Sequence, residues 1–585
     1  MASVARCRFV ERTVLATAAV TALFALTARA HEHTLADYEA SLVPKVGRPG
    51  PAFQLAAAPG PEKNARTCQL VLRLIDAGTK EAFSGLVCVT RADGSVVPLS
   101  NLFNRGAKLR PGHPGAQWHA LIEDAAVAVP QEALTLEAFS GLDTELFKKA
   151  LDLSGRDRVE LTLQLKHFYR AGAKGWHGGN THLHLSGLTR EQADEYLRTI
   201  PRADGLDLVF VSYLRRVNAE RDYISNTYTP ADLERLSGHG VRFGNGEEHR
   251  HNFGPGGEGY GHVMFLNIRQ LIQPVSIGPG LMGEGQDFPP LRHGIEEARR
   301  GHATVVWCHN TFGLEDVPDW LAGLLHAHNI FDGGSQGSYA DTFYRFLNIG
   351  LRVPFSTGTD WFIYDFSRVY ARLDKPATVR HWLDALQAGR TFISNGPLLE
   401  LRAGQHDIGD TVRLERRGRL KIVGRAVGRH DFKKIELVHN GQAVQSRSSR
   451  PVAGHFEAEL TYQLEITEPG WIALRVASGS LDTGDALVVP PVTPIRSSTG
   501  ARNEMGEALF AHTSPIYIEL AGRSIFREEA ARALIADMQK ATQAIQDKAR
   551  FADEPQQQEI MDLYHRGIET LQRRLTPKRA LSSSS

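Results

Sequence analysis

Five short apolar runs each end in residues able to hold a metal ion: His182-Leu183-His184, Gly246-Glu247-Glu248, Gly261-His262, Trp307-Cys308-His309 and Gly358-Thr359-Asp360. Imidazoles two residues apart on an extended segment project to the same side, so His182 and His184 can hold one ion together. Glu248, His262, His309 and Asp360 are the expected further ligands, with Glu248, Asp360 and His309 at the centre of the catalysis. Imidazole and carboxylate donors suit zinc, manganese or iron, and the residue types do not choose among them. Two such ions can share a hydroxide at neutral pH and polarise the bond it attacks, which cleaves an ester, amide or phosphoester without a side-chain nucleophile.

A single His-x-His among 24 histidines is weak evidence. The order of the whole series is what gives it weight. His262 is the open member: it precedes Val263-Met264-Phe265-Leu266, where a core histidine would also fit, and without it the set falls to a single ion. Glu247 competes with Glu248 for the carboxylate role. His249 and His251 alternate away from Glu248 or lie in a loop, in a supporting or surface role. His177, His293, His302, His326 and His328 read as structural or exposed, and Cys308 as a buried small hydrophobe. No cluster of arginine or lysine stands beside the ligands, which favours ester or amide hydrolysis over phosphoester hydrolysis.

The elements that must position these residues alternate strand and helix. Leu206 to Val211, Ala303 to Trp307 and Leu351 to Phe355 read as fully buried strands. Thr189 before Glu191 to Ile200, and Thr229-Pro230 before Ala231 to Leu236, read as capped helix starts. Leu291 to Arg300, Val317 to Leu325 and Val379 to Ala388 supply more helices. Ligands just past buried strands suit the C-terminal face of a β/α barrel over residues 171–397. The Gly-rich stretch Gly278 to Pro290 lacks a phosphate-cradle lysine and reads as a lid or rim.

At 585 residues the chain is too long for one core. Residues 66–170 are turn-punctuated and strand-like, as are 398–522, and both read as β-sandwiches; Asn440-Gly441 is a hairpin signal in the second. Residues 523–576 read as a helical hairpin on the body or a partner, offering a route to oligomers, and 577–585 as a disordered tail. Residues 1–30, with Arg6, Arg8 and Arg12 before an apolar stretch and Ala28-Arg29-Ala30, have the order of a signal peptide, a noncleaved anchor being the second reading. An exported, periplasmic or extracellular protein follows, with no membrane span in the mature chain. Residues 31–65 read as a linker; His31 and His33 would sit at a new N-terminus, where a copper site is conceivable but a polar terminus is the plainer reading. A net charge of +1 offers no field for nucleic acid. Cys68 and Cys88, on runs flanking a turn, are candidates for a disulfide.

The ligand series resembles that of the PHP (polymerase and histidinol phosphatase) superfamily of metallohydrolases. Ala388-Gly389-Arg390-Thr391-Phe392-Ile393-Ser394-Asn395-Gly396-Pro397, with Ala511-His512-Thr513-Ser514-Pro515-Ile516-Tyr517, looks like the carbaryl-hydrolase-like CehA/McbA subgroup. The resemblance spans about Ala171 to Leu520 and implies a distorted seven-stranded β/α barrel between the two sandwiches. It further implies one ion held by His182, His184, Glu248 and Asp360, with Glu248 bridging to a second held by His262 and His309. Three-metal members carry an Asp-His pair where this chain has Ser212-Tyr213-Leu214, and a histidine where it has Phe362, so the third ion is expected to be lost. Tyr213, Trp361 and Phe362 would fill its place, as pocket wall or as packing.

Two functions compete. One is an exported hydrolase of a small-molecule or glycan-derived substrate. The other is a catalytically degenerate barrel with a structural ion, acting as a cell-surface binding or scaffold protein.

Overall fold

The computed structural model describes residues 66–576 except 108, 110–112, 215–222, 254–258, 274–275, 283–284, 311–312, 335–336 and 477–501. The expected signal peptide, linker and tail lie outside the described residues. Among them, no helix is long and apolar enough to cross a membrane.

The N-terminal region forms a three-stranded and a five-stranded sheet. Thr67–Asp76 alternates exposed and buried residues and lays Cys68, Leu70, Leu72 and Leu74 against Val87, Val89 and Leu136. This is the inside-outside alternation that a two-layer β-structure requires. The expected disulfide does not form. Cys68 and Cys88 are free thiols, because their strands belong to different sheets and their side chains to different apolar clusters.

Seven strands carry the centre of the molecule: β1 (Trp176–His184), β2 (Leu208–Tyr213), β3 (Arg242–His251), β4 (Gly261–Leu266), β5 (Thr304–Trp307), β6 (Ala327–Asn329) and β7 (Phe355–Ser356). They lie side by side in chain order. β1, β2 and β3 are parallel, β4 is antiparallel to both neighbours, and β5, β6 and β7 are again parallel. Thr189 caps Arg190–Ala203 and Thr229 caps Pro230–Leu236, each with a reciprocal capping box. The strand expected over Leu351 to Phe355 is only two residues long and begins after Pro354, which has no N–H for a ladder.

The sheet curls but its ladder does not close into a barrel among the described residues. The chain leaves β7, which is paired to β6, and a two-residue strand Asp360–Trp361 then pairs with Leu183 and His184 of β1. Side chains span the break: the Thr181 hydroxyl donates to the Thr357 carbonyl at 2.8 Å. That return path brings the last expected ligand beside the first two.

The C-terminal strands are not a separate sheet pair. Thr391–Ser394 pairs with Ala511–Thr513, so the central sheet runs on into the second β-region, whose other layer is a five-stranded sheet. Helices Glu528–Lys548 and Glu554–Leu575 pack on each other and on the central body through Leu534, Met538, Ile545, Ile560, Leu563 and Leu571. Their apolar faces are thus buried within the chain.

Candidate metal centre

All six expected ligands meet in one buried place. His182, His184, Glu248 and Asp360 form one group whose ligand atoms lie within 4.8 Å of one another, and Glu248, His262 and His309 form a second. Each of the six is at most 3% exposed.

Hydrogen bonds set the imidazole tautomers. His182 Nδ1 lies 2.8 Å from a carboxylate oxygen of Asp332, and His184 Nδ1 lies 3.0 Å from the Ser212 carbonyl. Both partners accept, so each Nδ1 carries a proton, which leaves Nε2 as the atom that offers a lone pair to a cation whenever the ring is neutral. The two Nε2 atoms face each other at 2.8 Å, with Glu248 Oε2 3.1 Å from that of His184. Asp360 Oδ1 stands 3.4 Å from His182 Nε2 and 3.7 Å from His184 Nε2. Neither carboxylate oxygen of Asp360 has a hydrogen-bond partner among the described residues. Electron-rich atoms converging on one point, with one carboxylate left without donors, are a donor set for a cation.

Glu248 joins the two groups. Its Oε2 faces the His182 and His184 rings, while its Oε1 lies 3.0 Å from His262 Nδ1 and 3.5 Å from His309 Nε2. His262 is therefore aimed at the carboxylate and not into the apolar core.

The titrations carry the same tension. Burial pulls the His182 imidazole down, but the Asp332 and Asp360 carboxylates drive it well above its ordinary value. Burial lowers His184, and burial with the nearby Arg250 charge lowers His262 further. Burial opposes ionisation of Glu248, yet Arg250 and three imidazoles hold it well below the carboxylate range. Burial raises Asp360.

The backbone is bent to make this arrangement. His309, Asn310 and Asp360 have positive φ angles of 55°, 58° and 58°, which non-glycine residues adopt only when their surroundings enforce it. Gly358 permits the close approach: a Cβ there would stand 2.6 Å from the His182 Cβ. Asn180 ties the two segments, since its Oδ1 accepts from the backbone N–H groups of His182 and Thr359 at 3.1 and 3.2 Å.

The other expected site residues fall elsewhere. Glu247 and His249 point to the opposite face of β3, where Glu247 accepts from His249 at 3.1 Å and from the Ile272 N–H at 2.8 Å. Of the three aromatic residues, Trp361 alone borders the ligands, its ring 5.3 Å from His184 and stacked on Tyr223. Tyr213 opposes Glu247 in the ladder and donates to the Tyr228 carbonyl, and Phe362 packs between Tyr196 and Tyr364. Neither lines the centre, because strand alternation and core packing turn them away. His328 is structural, fully buried, and accepts from the Trp320 indole at 3.2 Å. The Gly278 rim lies against the far end of β3, where a Cβ on Gly278 would meet the Asn252 carbonyl at 2.2 Å.

Three residues escape the sequence reading. Asp332 orients His182 and receives the Asn329 amide at 2.8 Å. It follows β6 as the ligands follow their strands, a signal that was present but weak. Asn329 joins it; Cys308, buried as expected, makes a third close group with His182, His309 and Asp332. The last is Arg250: no basic cluster was expected beside the ligands, and this single guanidinium, two residues past Glu248, stands there with Nη1 3.5 Å from Glu248 Oε2.

Comparison of the chain with family models, with curated proteins and with solved structures found no match.

Proposed function

We propose that the chain is a metal-dependent hydrolase with two divalent ions bridged by Glu248. The observation that carries this reading is the division of one carboxylate between two imidazole pairs, one oxygen to each. A structural ion is normally closed by about four ligands and needs no such bridge. Divalent ions bound there would supply an acidic water and polarise the bond to be broken. The protein's part is to hold His182 and His184 in one tautomer through Asp332 and Ser212, to favour the ionised form of Glu248, and to exclude bulk water from a buried donor set.

The order of the ligands and the Gly389 to Pro397 run support a PHP-type, CehA/McbA-like relationship. The curled seven-strand arc is compatible with a distorted β/α barrel of that kind. The N-terminal sequence supports an exported protein, periplasmic or extracellular, acting on a small-molecule or glycan-derived substrate.

Metal content by mass spectrometry on the wild-type chain, on His182→Ala and on Glu248→Ala tests the proposal. Two ions per wild-type chain, both lost with Glu248, are expected. One ion indifferent to Glu248, or none, would overturn the bridged centre and leave a binding scaffold as the reading to pursue.

A further inference from the structure

Arg250 and Glu248 share the inner face of β3 because they are two residues apart, and Arg250 stands directly opposite His262 in the antiparallel ladder. The arginine is 3% exposed. Its Nε and Nη1 have no hydrogen-bond partner among the described residues. The nearest carboxylate, Glu248, is 3.5 Å away with its oxygens already directed to four imidazoles. Among the described residues, no other arginine and no lysine pairs with Glu248, Asp360 or Asp332.

A buried guanidinium with idle donors is costly unless something completes it. The planar fork of arginine matches two oxygens of an oxyanion. The charge balance points the same way: the positive charge of two divalent ions and Arg250 together exceeds the negative charge of Glu248, Asp360 and Asp332.

We propose, resting on the metal-centre reading above, that Arg250 is the anchor for an oxyanion carried by the substrate. A carboxylate, sulfate or phosphate group docks on an edge of the guanidinium beside Glu248, either Nε with Nη2 or Nη1 with Nη2, each edge carrying one of the two idle donors. The substrate is therefore anionic next to the bond that is cleaved, and Arg250 determines specificity without ligating metal.

The test uses the full chain as wild type, Arg250→Lys and Arg250→Met. Metal content is read by mass spectrometry, and binding of inorganic phosphate, sulfate and acetate by calorimetry. Wild type should bind at least one of the three. Arg250→Met should keep the wild-type metal content and weaken that anion by tenfold to about a hundredfold, the loss of charge-assisted hydrogen bonds. Arg250→Lys, which keeps the charge but not the fork, should fall between. The preference between acetate and the tetrahedral anions distinguishes a planar from a tetrahedral group.

No anion binding in wild type, or equal affinity in all three proteins, would overturn the proposal. So would metal loss from Arg250→Met in step with anion loss, since the arginine would then only neutralise Glu248. If Arg250→Met does not fold, Arg250→Lys decides: weakened anion binding at full metal content supports the anchor, and unchanged binding refutes it. A wild-type chain without metal but with Arg250-dependent anion binding would sink the metal centre and leave the anchor standing.

Discussion

Arg105 and Arg250 are both buried guanidiniums beside carboxylates, and their surroundings could hardly differ more. Arg105 grips Asp204 with Nε and Nη2 at 3.0 and 2.8 Å, and gives its remaining donors to the carbonyls of Tyr364 and Asp365 and to the Met505 sulfur. Every donor is used, and the node ties the N-terminal sheets to the centre and to the second β-region. Among the described residues, Nε and Nη1 of Arg250 have no acceptor and neither carboxylate oxygen of Asp360 has a donor. A saturated polar cluster pins domains together. An unsaturated one in the same protein interior is left with a desolvation cost that a bound ligand, as proposed above, would offset.

Breaking the saturated node should have the largest effect on stability. Arg105→Met leaves Asp204 buried without its partner and should cost about 3–5 kcal/mol in a denaturant melt, with metal content per folded chain unchanged. Loss of metal at equal folded fraction would mean that the two clusters are coupled.

Glu504 offers a second ion-paired node with a pH signature, its Oε1 accepting from Arg429 Nη1 at 2.6 Å. Burial works against its ionisation, yet Arg429 and His430 hold it down at about 2. A depressed carboxylate contributes stability above its unfolded value of 4.5 and loses it as the pH falls through the folded value. The stability difference between wild type and Glu504→Gln should thus be on the order of 3 kcal/mol at pH 7 and shrink from about pH 4.5 down to about pH 2. A difference that stays constant down to pH 2 would show that the ionised carboxylate is not its source.

In the unsaturated cluster the orienting residue should matter less for folding and more for metal. Asp332→Asn removes the acceptor that sets the His182 tautomer and should weaken metal binding about 10- to 100-fold in a chelator competition. Stability of the metal-free chain should change little. Unaltered metal affinity would remove Asp332 from the centre.

The smallest effect is expected at Cys308. Burial pushes its thiol far up, so it stays protonated and a poor ligand. Cys308→Ala should keep the wild-type metal content, whereas loss of an ion would promote the group it forms with His182, His309 and Asp332 to a true site.

Much of this centre was legible from spacing alone. The His182 and His184 pair, the carboxylate at Glu248 and the Gly358-Thr359-Asp360 end all depend on local strand periodicity and on glycine where backbones nearly touch. Asp332 and Arg250 were harder to read. Asp332 lies 150 residues from His182, and nothing local marks the contact. Arg250 is adjacent to the series and strand alternation would place it on the face of Glu248, but only the ladder opposite His262 shows that the strand runs on through it. For Tyr213 and Phe362 the sequence left pocket wall and packing open, and the structure selects packing, since their face is chosen by register and core contacts. The Cys68 and Cys88 expectation failed because adjacent runs joined different sheets.

By itself the sequence determined which residues can ligate, where helices are capped and where strands alternate, because these follow from side-chain chemistry and from periods of two and 3.6 residues. Only the tertiary structure decided that Glu248 divides its oxygens between two imidazole pairs, that Asp360 returns to β1, and that Arg105 is saturated while Arg250 is not. Those outcomes depend on strand order and register across hundreds of residues, where long-range closure, not local preference, sets which atoms meet.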